Sequence, residues 1–512
     1  MLQNITRSLT DLLGKDYMEA VKNTAVTLLG IDPAQADALA EEKVDFFPDA
    51  FVARCDRLAL KTGEQIFPAL NTALTGAPTD SFRKATHLEA APIGGIGCAR
   101  IGQDGKVYIA AKSEHYHIPL GHNFPGYKLI TKARQLGILN ATHNNTRGYI
   151  TRLMEQRIIM AANGIHVPGA ELDAVLSSTQ PKVLNRVLNI QTGSLAVEAG
   201  LKMLLTRFYR QEKAASEPKY AGKIPVFLVM EDNDGGLEAN YHGTTLFAQT
   251  LRGMWPEFRS RCEEAGLFRV VGVKRNNIAD FAEKIKQYNS GVYKTAGFLH
   301  EIILMNYGGI RLQPDYLQKA YSLCEQYDTP TLCDEIQSCM WYEGMFLFRQ
   351  YGLHPDIVII GKGFPGGEYA ASKVITTHEI DALVQFGALV TNGQEELASL
   401  AYLITMEFIK ENGRHVSAAG QKIQTAMETL AARYPDRVSC FEGFGHMGAL
   451  QFHSVAQAKQ VAQSVNSECV DVSAQLYKAN CPPAMLIKLP LVTSETVLSI
   501  IIEKISSALS RC

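Results

Sequence analysis

The chain has 512 residues, 46% of them hydrophobic and 20% charged, with a formal net charge of −2. That is enough apolar material for a large buried core and more than one domain, and it gives no electrostatic case for nucleic acid or an anionic membrane as partner. Ten scattered cysteines without C-x-x-C pairs, no secretory-type apolar leader and no membrane-length apolar run make a soluble cytoplasmic protein the expected class.

Residues 1–88 read as a helical N-terminal extension. Asp32-Pro33 supplies an N-cap and a proline at the first position of a helix running through AQADALAEEKV. A second periodic stretch runs from Phe51 to Leu74 and stops at Gly76-Ala77-Pro78. Nothing in this segment carries chemistry, and packing or a dimer-interface arm is its expected role. From Gly97 the pattern changes to CARIGQDGKVYIAA, where Asp104-Gly105 between two alternating runs predicts a β-hairpin. Residues 89–144 are expected to form the N-terminal part of a small domain, with a helix beginning near Asn145.

After Pro181 strands and helices alternate. NIQTGS leads into a helix over Leu195–Tyr209, followed by strands at 226–230 (VFLVM), 268–273 (FRVVGV) and 298–304 (FLHEIIL), with helices at Ile278–Tyr288 and Pro314–Tyr327. This alternation predicts an α/β fold, a large domain over 145–413 built on a mostly parallel sheet covered by helices on both faces. A long helix, ELASLAYLITMEFIKE, is expected to close at Asn412-Gly413. VSCFEGFGHMGALQF, a helix near 456–478, MLIKLPLV and a final helix from Ser494 then suggest a smaller α+β domain over 414–512.

The chemistry concentrates in residues 331–367, TLCDEIQSCMWYEGMFLFRQYGLHPDIVIIGKGFPGG. The apolar runs Thr331–Cys333 and Ile357–Ile360 are separated by a helix-sized interval and read as buried parallel strands. Each ends in a reactive cluster, one in Asp334, Glu335 and Gln337, the other in Lys362 between two glycines. Ligands in such sheets bind beyond the carboxyl ends of the strands, so Asp334 and Lys362 face one ligand. A lysine buried there has its ammonium form disfavoured, which suits Schiff-base chemistry. Asp334 is placed to keep a pyridine nitrogen protonated, with Gln337 set to reach the phenolic oxygen of the same ring. These two ends match pyridoxal 5′-phosphate. Gly193 and Ser194, in Gln191-Thr192-Gly193-Ser194, offer N–H groups and a hydroxyl to a phosphate at a helix N-terminus. Tyr241, in Asn240-Tyr241-His242-Gly243, offers an aromatic face for stacking. A doubly wound nucleotide-binding protein is disfavoured, because no G-x-G-x-x-G follows the first strand of the alternating region. No metal site is expected.

Taken together, these stretches resemble the class-III pyridoxal-phosphate-dependent aminotransferases, the family of ornithine aminotransferase and dialkylglycine decarboxylase. The resemblance runs from about Gly97 to the C-terminus. DEIQ followed by PDIVIIGKG is its specific part, supported by DGKVY, Gly121-His122 with Pro125, QTGSLAVEAGLK, YHG, Glu301 ahead of Gly308-Gly309, TNG at 391–393, FGHMGALQF and IKLPLV. It implies a fold-type-I transferase in which Lys362 forms the Schiff base and shuttles the proton, Asp334 pairs with the ring nitrogen and Gln337 with the phenolic oxygen. Tyr241 stacks, Gly193 and Ser194 hold the phosphate with Thr391 from a neighbouring subunit, and Glu301 sits by the cofactor and pairs with a basic residue. The resemblance further implies a homodimer with shared active sites and an amine or amino acid as substrate.

The departures fall where substrate is gripped. His242-Gly243-Thr244-Thr245 replaces His-Gly-Arg-Thr, Lys488 takes the place of the carboxylate-binding arginine, SCMWYEGMF replaces a glycine-rich run, and His115 stands at the position of a substrate-facing aromatic. Arginine grips a carboxylate bidentately and lysine does not. The leading expectation is transfer of an amino group from an amine or amino acid to a keto acid or aldehyde. Racemisation, epimerisation or decarboxylation on the same scaffold is the alternative. A non-catalytic cofactor-fold module is disfavoured by the intact Lys362, Asp334 and Gln337.

Overall fold

The computed structural model describes residues 2–85, 87–112, 117–143, 146–391, 394–475 and 481–511. A seven-stranded sheet forms its centre. In chain order the strands are β1 (Leu184–Ile190), β2 (Ile224–Met230), β3 (Arg269–Val273), β4 (Tyr293–His300), β5 (Thr331–Asp334), β6 (Ile357–Ile360) and β7 (Ser372–Thr377). They lie side by side as β1-β7-β6-β5-β4-β2-β3. The pairs β6-β5, β5-β4, β4-β2 and β2-β3 are parallel, and only β7 runs antiparallel to its two neighbours. The mostly parallel α/β sheet expected from the alternation is thus present. Every residue of β5 and β6 is buried, as strands covered on both faces require.

Asp356 sets the register at the centre of the sheet. Its carboxylate accepts from the Thr331 backbone N–H at 2.7 Å and the Thr331 hydroxyl at 3.1 Å, and pairs with Lys182 at 2.6 Å. Leu332 then faces Ile357 and Asp334 faces Ile359, so the carboxyl ends of β5 and β6 emerge together. The strand expected over 298–304 is interrupted. β4 ends at His300, and Ile303–Leu304 pairs instead with Ile310–Arg311 in a separate antiparallel ladder. The break falls at Glu301, a buried carboxylate that leaves the sheet to serve the site below.

Three helices matter most here: α1 (Tyr149–Asn163) and α3 (Glu396–Arg433), which pack on each other, and α2 (Gly193–Leu205), which starts at the site. The free N–H groups at the start of α1 are satisfied by a side chain far away in sequence. The buried Glu396 carboxylate accepts from Ile150 N at 2.9 Å, Thr151 N at 3.1 Å and the Thr151 hydroxyl at 2.6 Å. Gly148, just before the helix, is required there, because a Cβ would collide with that carboxylate. Glu396→Ala is expected to cost about 2–3 kcal/mol, since it strips a charged acceptor from buried donors. The check is the denaturant midpoint, and an unchanged midpoint at unchanged slope would count against this account.

Helix α3 corrects an expectation. It does not close at Asn412-Gly413 but continues through Arg433, so the boundary expected at 413 falls inside one helix. Asn412 is fully buried, and its amide accepts from Gln3 N at 2.7 Å and donates to the carbonyls of Gln3 and Phe408, both at 3.1 Å. A tertiary partner thus occupies the side chain that would otherwise mark a helix end, and Gly413 gives room for Glu343 alongside.

The helix expected from Phe51 to Leu74 also stops early, within Asp49–Ala59. Beyond it the backbone bonds to the Asp104-Gly105 hairpin: Gly63 N donates to Val107 O and Ile66 N to Gly105 O, both at 2.9 Å. That hairpin forms as expected, Ala99 facing Ile109 and Ile101 facing Val107. Gly105 (φ +76°) sits at its tip against the Phe67 carbonyl, where no side chain fits. Strands Val438–Phe444, Met447–Phe452, Ala484–Lys488 and Ser473–Gln475 make a four-stranded antiparallel sheet. The helix expected over 456–478 ends at Ser467, because the chain reverses at Cys469 (φ +62°) to enter the last of those strands. Ile109 N donates to Cys469 O at 2.9 Å and Asp471 N to Ile109 O at 2.8 Å, joining the hairpin to this sheet. The nine described cysteines are free, and eight of them are buried. No helix of the described residues is long and apolar enough to cross a membrane.

Candidate active site

A cavity of about 220 Å³ opens at the carboxyl ends of β5 and β6, where a ligand of such a sheet belongs. Asp334, Gln337 and Lys362 line it, together with Gly193, Ser194 and Tyr241. Six residues read from separate stretches of sequence therefore meet around one space.

Lys362 follows β6 after Gly361 and is held at φ +40°, a left-handed conformation that costs a non-glycine residue energy and clusters at functional sites. Burial holds its ammonium below the ordinary value of 10.5, and the carboxylates of Glu301 and Asp334 oppose that shift only in part. Asp334, at the end of β5, is buried and fixed in orientation. Its Oδ2 lies 3.0 Å from His242 Nδ1, and its Oδ1 accepts from Ile336 N at 3.1 Å. His242 is likewise buried and lines the cavity. Its part in orienting Asp334 is a contact that reading the chain in sequence missed, although the residue sat inside the motif already noted.

Gln337 donates from Nε2 to Glu301 Oε1 at 2.8 Å. Its Oε1 is buried and, among the described residues, has no hydrogen-bond partner. The amide was expected to donate toward a ligand; in this arrangement one donor is engaged by Glu301 and the second remains. Glu301 itself does not line the cavity but stands behind Gln337.

The opposite end of the cavity is a backbone cradle. Thr192 caps α2 by accepting from Leu195 N at 3.4 Å, which leaves the N–H groups of Gly193 and Ser194 at the first turn for a ligand. A Cβ on Gly193 would collide with Ile336, and one on Gly243 (φ +105°) would stand 2.7 Å from Ser194 Cα. Both glycines therefore let two loops close over the helix start. Thr244 is exposed and bonds to the Ser194 hydroxyl through its N–H at 3.0 Å; it does not line the cavity. Tyr241 lines the cavity with the Arg252 guanidinium 4.9 Å from its ring centroid. Tyr369, Ala370, Ala371 and Ser372 close one side. They enter because β7 is antiparallel and brings its N-terminal end to this edge, a pairing with no local signal in the chain.

Two expected substrate residues stand differently. Lys488 is fully buried, donates to the Gln337 carbonyl and lies 3.6 Å from the Trp341 ring centroid, and it is not among the residues lining the cavity. Burial, with the Lys362 charge adding to it, pushes its ammonium well below 10.5. Its ammonium is engaged by backbone and indole at the position where the sequence suggested a carboxylate contact. His115 lies outside the described residues. His117, two residues on, does line the cavity, its imidazole held low by burial and by Lys362 and Lys488. Thr391 is exposed and is not among the residues lining the cavity of its own chain. Glu335 is structural: its fully buried carboxyl accepts from the Ser338 hydroxyl at 2.6 Å and Phe348 N at 2.5 Å, and burial pushes it up to about 7. Among the described residues no group of three or more His, Cys, Asp or Glu is placed to hold a metal ion.

Ornithine aminotransferase from Emericella nidulans is 28% identical over 48% of this chain and 52% of its own length. Adenosylmethionine-8-amino-7-oxononanoate aminotransferase from Buchnera aphidicola is 25% identical over 45% of this chain and 52% of its own. The chain thus spans about half the length of these curated relatives. A solved Bacillus anthracis aminotransferase superposes with a TM-score of 0.67 at 17% identity, covering 91% of this chain and 98% of that one, which establishes a shared fold. The Aminotransferase class-III family model matches residues 83–509, far more than half of the sequence, and the chain belongs to that family.

Proposed function

We propose that this protein is a pyridoxal 5′-phosphate-dependent aminotransferase, moving an amino group from an amine or amino acid to a keto acid or aldehyde. The observation that carries the reading is the pairing of Lys362, buried with a depressed pKa, with Asp334, oriented by His242, across one cavity. The residues present fit the cofactor: a helix N-terminus for its phosphate, an aromatic for its ring face, a carboxylate for its ring nitrogen and a lysine for its aldehyde. Gln337 Nε2 gives one N–H to Glu301 and keeps a second, a donor suited to the ring's phenolic oxygen. When bound, the cofactor supplies the electron sink that stabilises negative charge at the substrate carbon.

This chain's own residues do the rest. Lys362, with its ammonium disfavoured, would serve as the nucleophile and afterwards as the base that lifts a proton from the substrate carbon and returns it. Asp334 would hold a proton on the ring nitrogen. Gly193 and Ser194 would anchor the phosphate through N–H groups at the positive end of α2. Tyr241, backed by Arg252, would offer its face to the ring, and Glu301 orients Gln337. The named relatives are aminotransferases, which favours transamination over racemisation or decarboxylation. The test is a panel of amines and amino acids without any acceptor. About one carbonyl product per site supports transamination, whereas racemised substrate or CO₂ without that product overturns it.

Thr391 acts in this reading on a partner's site within a homodimer, supported by its exposure and its absence from the cavity of its own chain. Sedimentation equilibrium giving a monomer at working concentration would remove that part. His242→Phe is expected to lower kcat by about ten- to a hundredfold, because a hydrogen bond to a charged group is lost. His242→Asn, which can still donate, should recover part of it. Equal kcat in His242→Phe and wild type would show that Asp334 needs no orienting partner.

The Lys362 pKa gives a further check in the cofactor-free protein. Labelling of Lys362 by an amine-selective reagent should show a midpoint below 10.5, since burial lowers it. The Glu301 charge favours the ammonium and raises that pKa, so Glu301→Gln should move the midpoint to still lower pH. A midpoint that moves upward in this variant refutes the assignment.

A further inference from the structure

A second cavity, of about 680 Å³, shares no lining residue with the first. It lies between α1, α3 and the segment 343–350, with the N-terminal residues Asp11 and Leu12 at one end. Its floor is apolar and adaptable: Met160, Ile165, Met345, Leu403 and Met406, all buried.

The charges around it are unequally committed. Of the four acids, Glu407 and Glu411 pair with Arg7 at 2.7 and 3.6 Å, Asp11 accepts from Ser8 N at 2.8 Å, and Glu343 accepts from the Ser417 hydroxyl at 3.2 Å. Arg349 donates to the Ala161 carbonyl at 3.1 Å. Arg157 on α1, and Lys410 and Arg414 one turn apart on α3, form no ion pair or hydrogen bond with the described residues. Three uncommitted cations from two helices thus converge beside an apolar floor. The N–H groups of these three side chains have no acceptor among the described residues, and two anionic oxygens on one head group supply acceptors to all three while the apolar floor takes an uncharged body.

We propose that this cavity binds a small organic dianion with an apolar body, its head held by Arg157, Lys410 and Arg414 and its body lying on the methionine-rich floor. Phosphate monoesters and dicarboxylates share that chemistry. The site is independent of the cofactor reading.

Calorimetry on the cofactor-loaded protein tests it, with the phosphate cradle at α2 already filled. Phenyl phosphate and phenylmalonate are the probes; inorganic phosphate, without a body, and benzyl alcohol, without a charge, are the comparisons. At least one dianion should bind with one site per chain, more tightly at low salt, and tighter binding of one probe identifies the head group. Arg157→Gln and Lys410→Gln should each weaken it about tenfold, and the two comparison compounds should bind at least that much more weakly than the better dianion. Lys410 and Arg414 are both exposed, so Lys410→Gln/Arg414→Gln leaves the fold untouched and provides the decisive variant. Failure of both dianions to bind the wild type, or undiminished affinity in that double variant, overturns the proposal.

Discussion

Replacing Lys362 with alanine is expected to lower turnover by at least about 10³-fold, because one side chain serves as both nucleophile and proton carrier. Its surroundings explain why no neighbour substitutes. Lys362 is placed by the last residues of β6 and by a left-handed backbone that aims it into the cavity. The other buried lysine in reach of its charge, Lys488, is engaged by the Gln337 carbonyl and the Trp341 ring. Borohydride treatment of the loaded wild type should fix the cofactor covalently on the peptide containing Lys362, as read by mass spectrometry. Label on that peptide in wild type and none anywhere in Lys362→Ala is the expected pair of results. A variant that keeps turnover, or a label on another lysine, would sink the assignment.

Asp334→Ala should retain that covalent label yet lose about 10²–10³-fold in turnover, the loss of a fixed charge aimed where electron density develops. Asp334 is suited to the task because both oxygens are already oriented, one by His242 and one by the Ile336 N–H. Little reorganisation is then needed when the ring nitrogen arrives. The variant also leaves the buried His242 without its carboxylate, so part of the loss would be structural. Asp334→Asn separates the two effects, keeping the shape and a partner for His242 while removing the charge. If Asp334→Asn works like the wild type, the ring-nitrogen role fails.

What could be read along the chain was what depends on local pattern. Short all-apolar runs gave β5 and β6, and the residues directly after them gave Asp334 and Lys362. The glycine and serine after β1 marked the cradle at α2. The position of the cavity and the residues around it were therefore legible, because a strand's carboxyl end is a position that sequence specifies. What depends on distant partners was not. The His242–Asp334 contact joins residues 92 apart in sequence, β7 inserts antiparallel between β1 and β6, and Asn412-Gly413 looks like a helix end until Gln3 occupies the asparagine. The surroundings of Lys488 were hidden for the same reason: the Trp341 ring and the Gln337 carbonyl that engage it lie about 150 residues away in sequence.

The tie between Gln3 and Asn412 also bears on how the chain is made. Arg7 pairs with Glu407, and Asp56 receives a hydrogen bond from Ser494, so the helices of residues 2–60 complete their packing on residues synthesised hundreds of positions later. At about 5–20 residues per second, roughly 20–70 s separate the emergence of residue 60 from that of residue 407. During that interval residues 2–60 can rest on 124–136, through contacts such as Lys132 with Glu42, but lack the α3 side chains, Glu407 and Asn412, that hold Arg7 and Gln3 in the finished protein. The N-terminal helices therefore form the last-closing part of the nascent chain. Chaperone demand during synthesis should concentrate in residues 2–60.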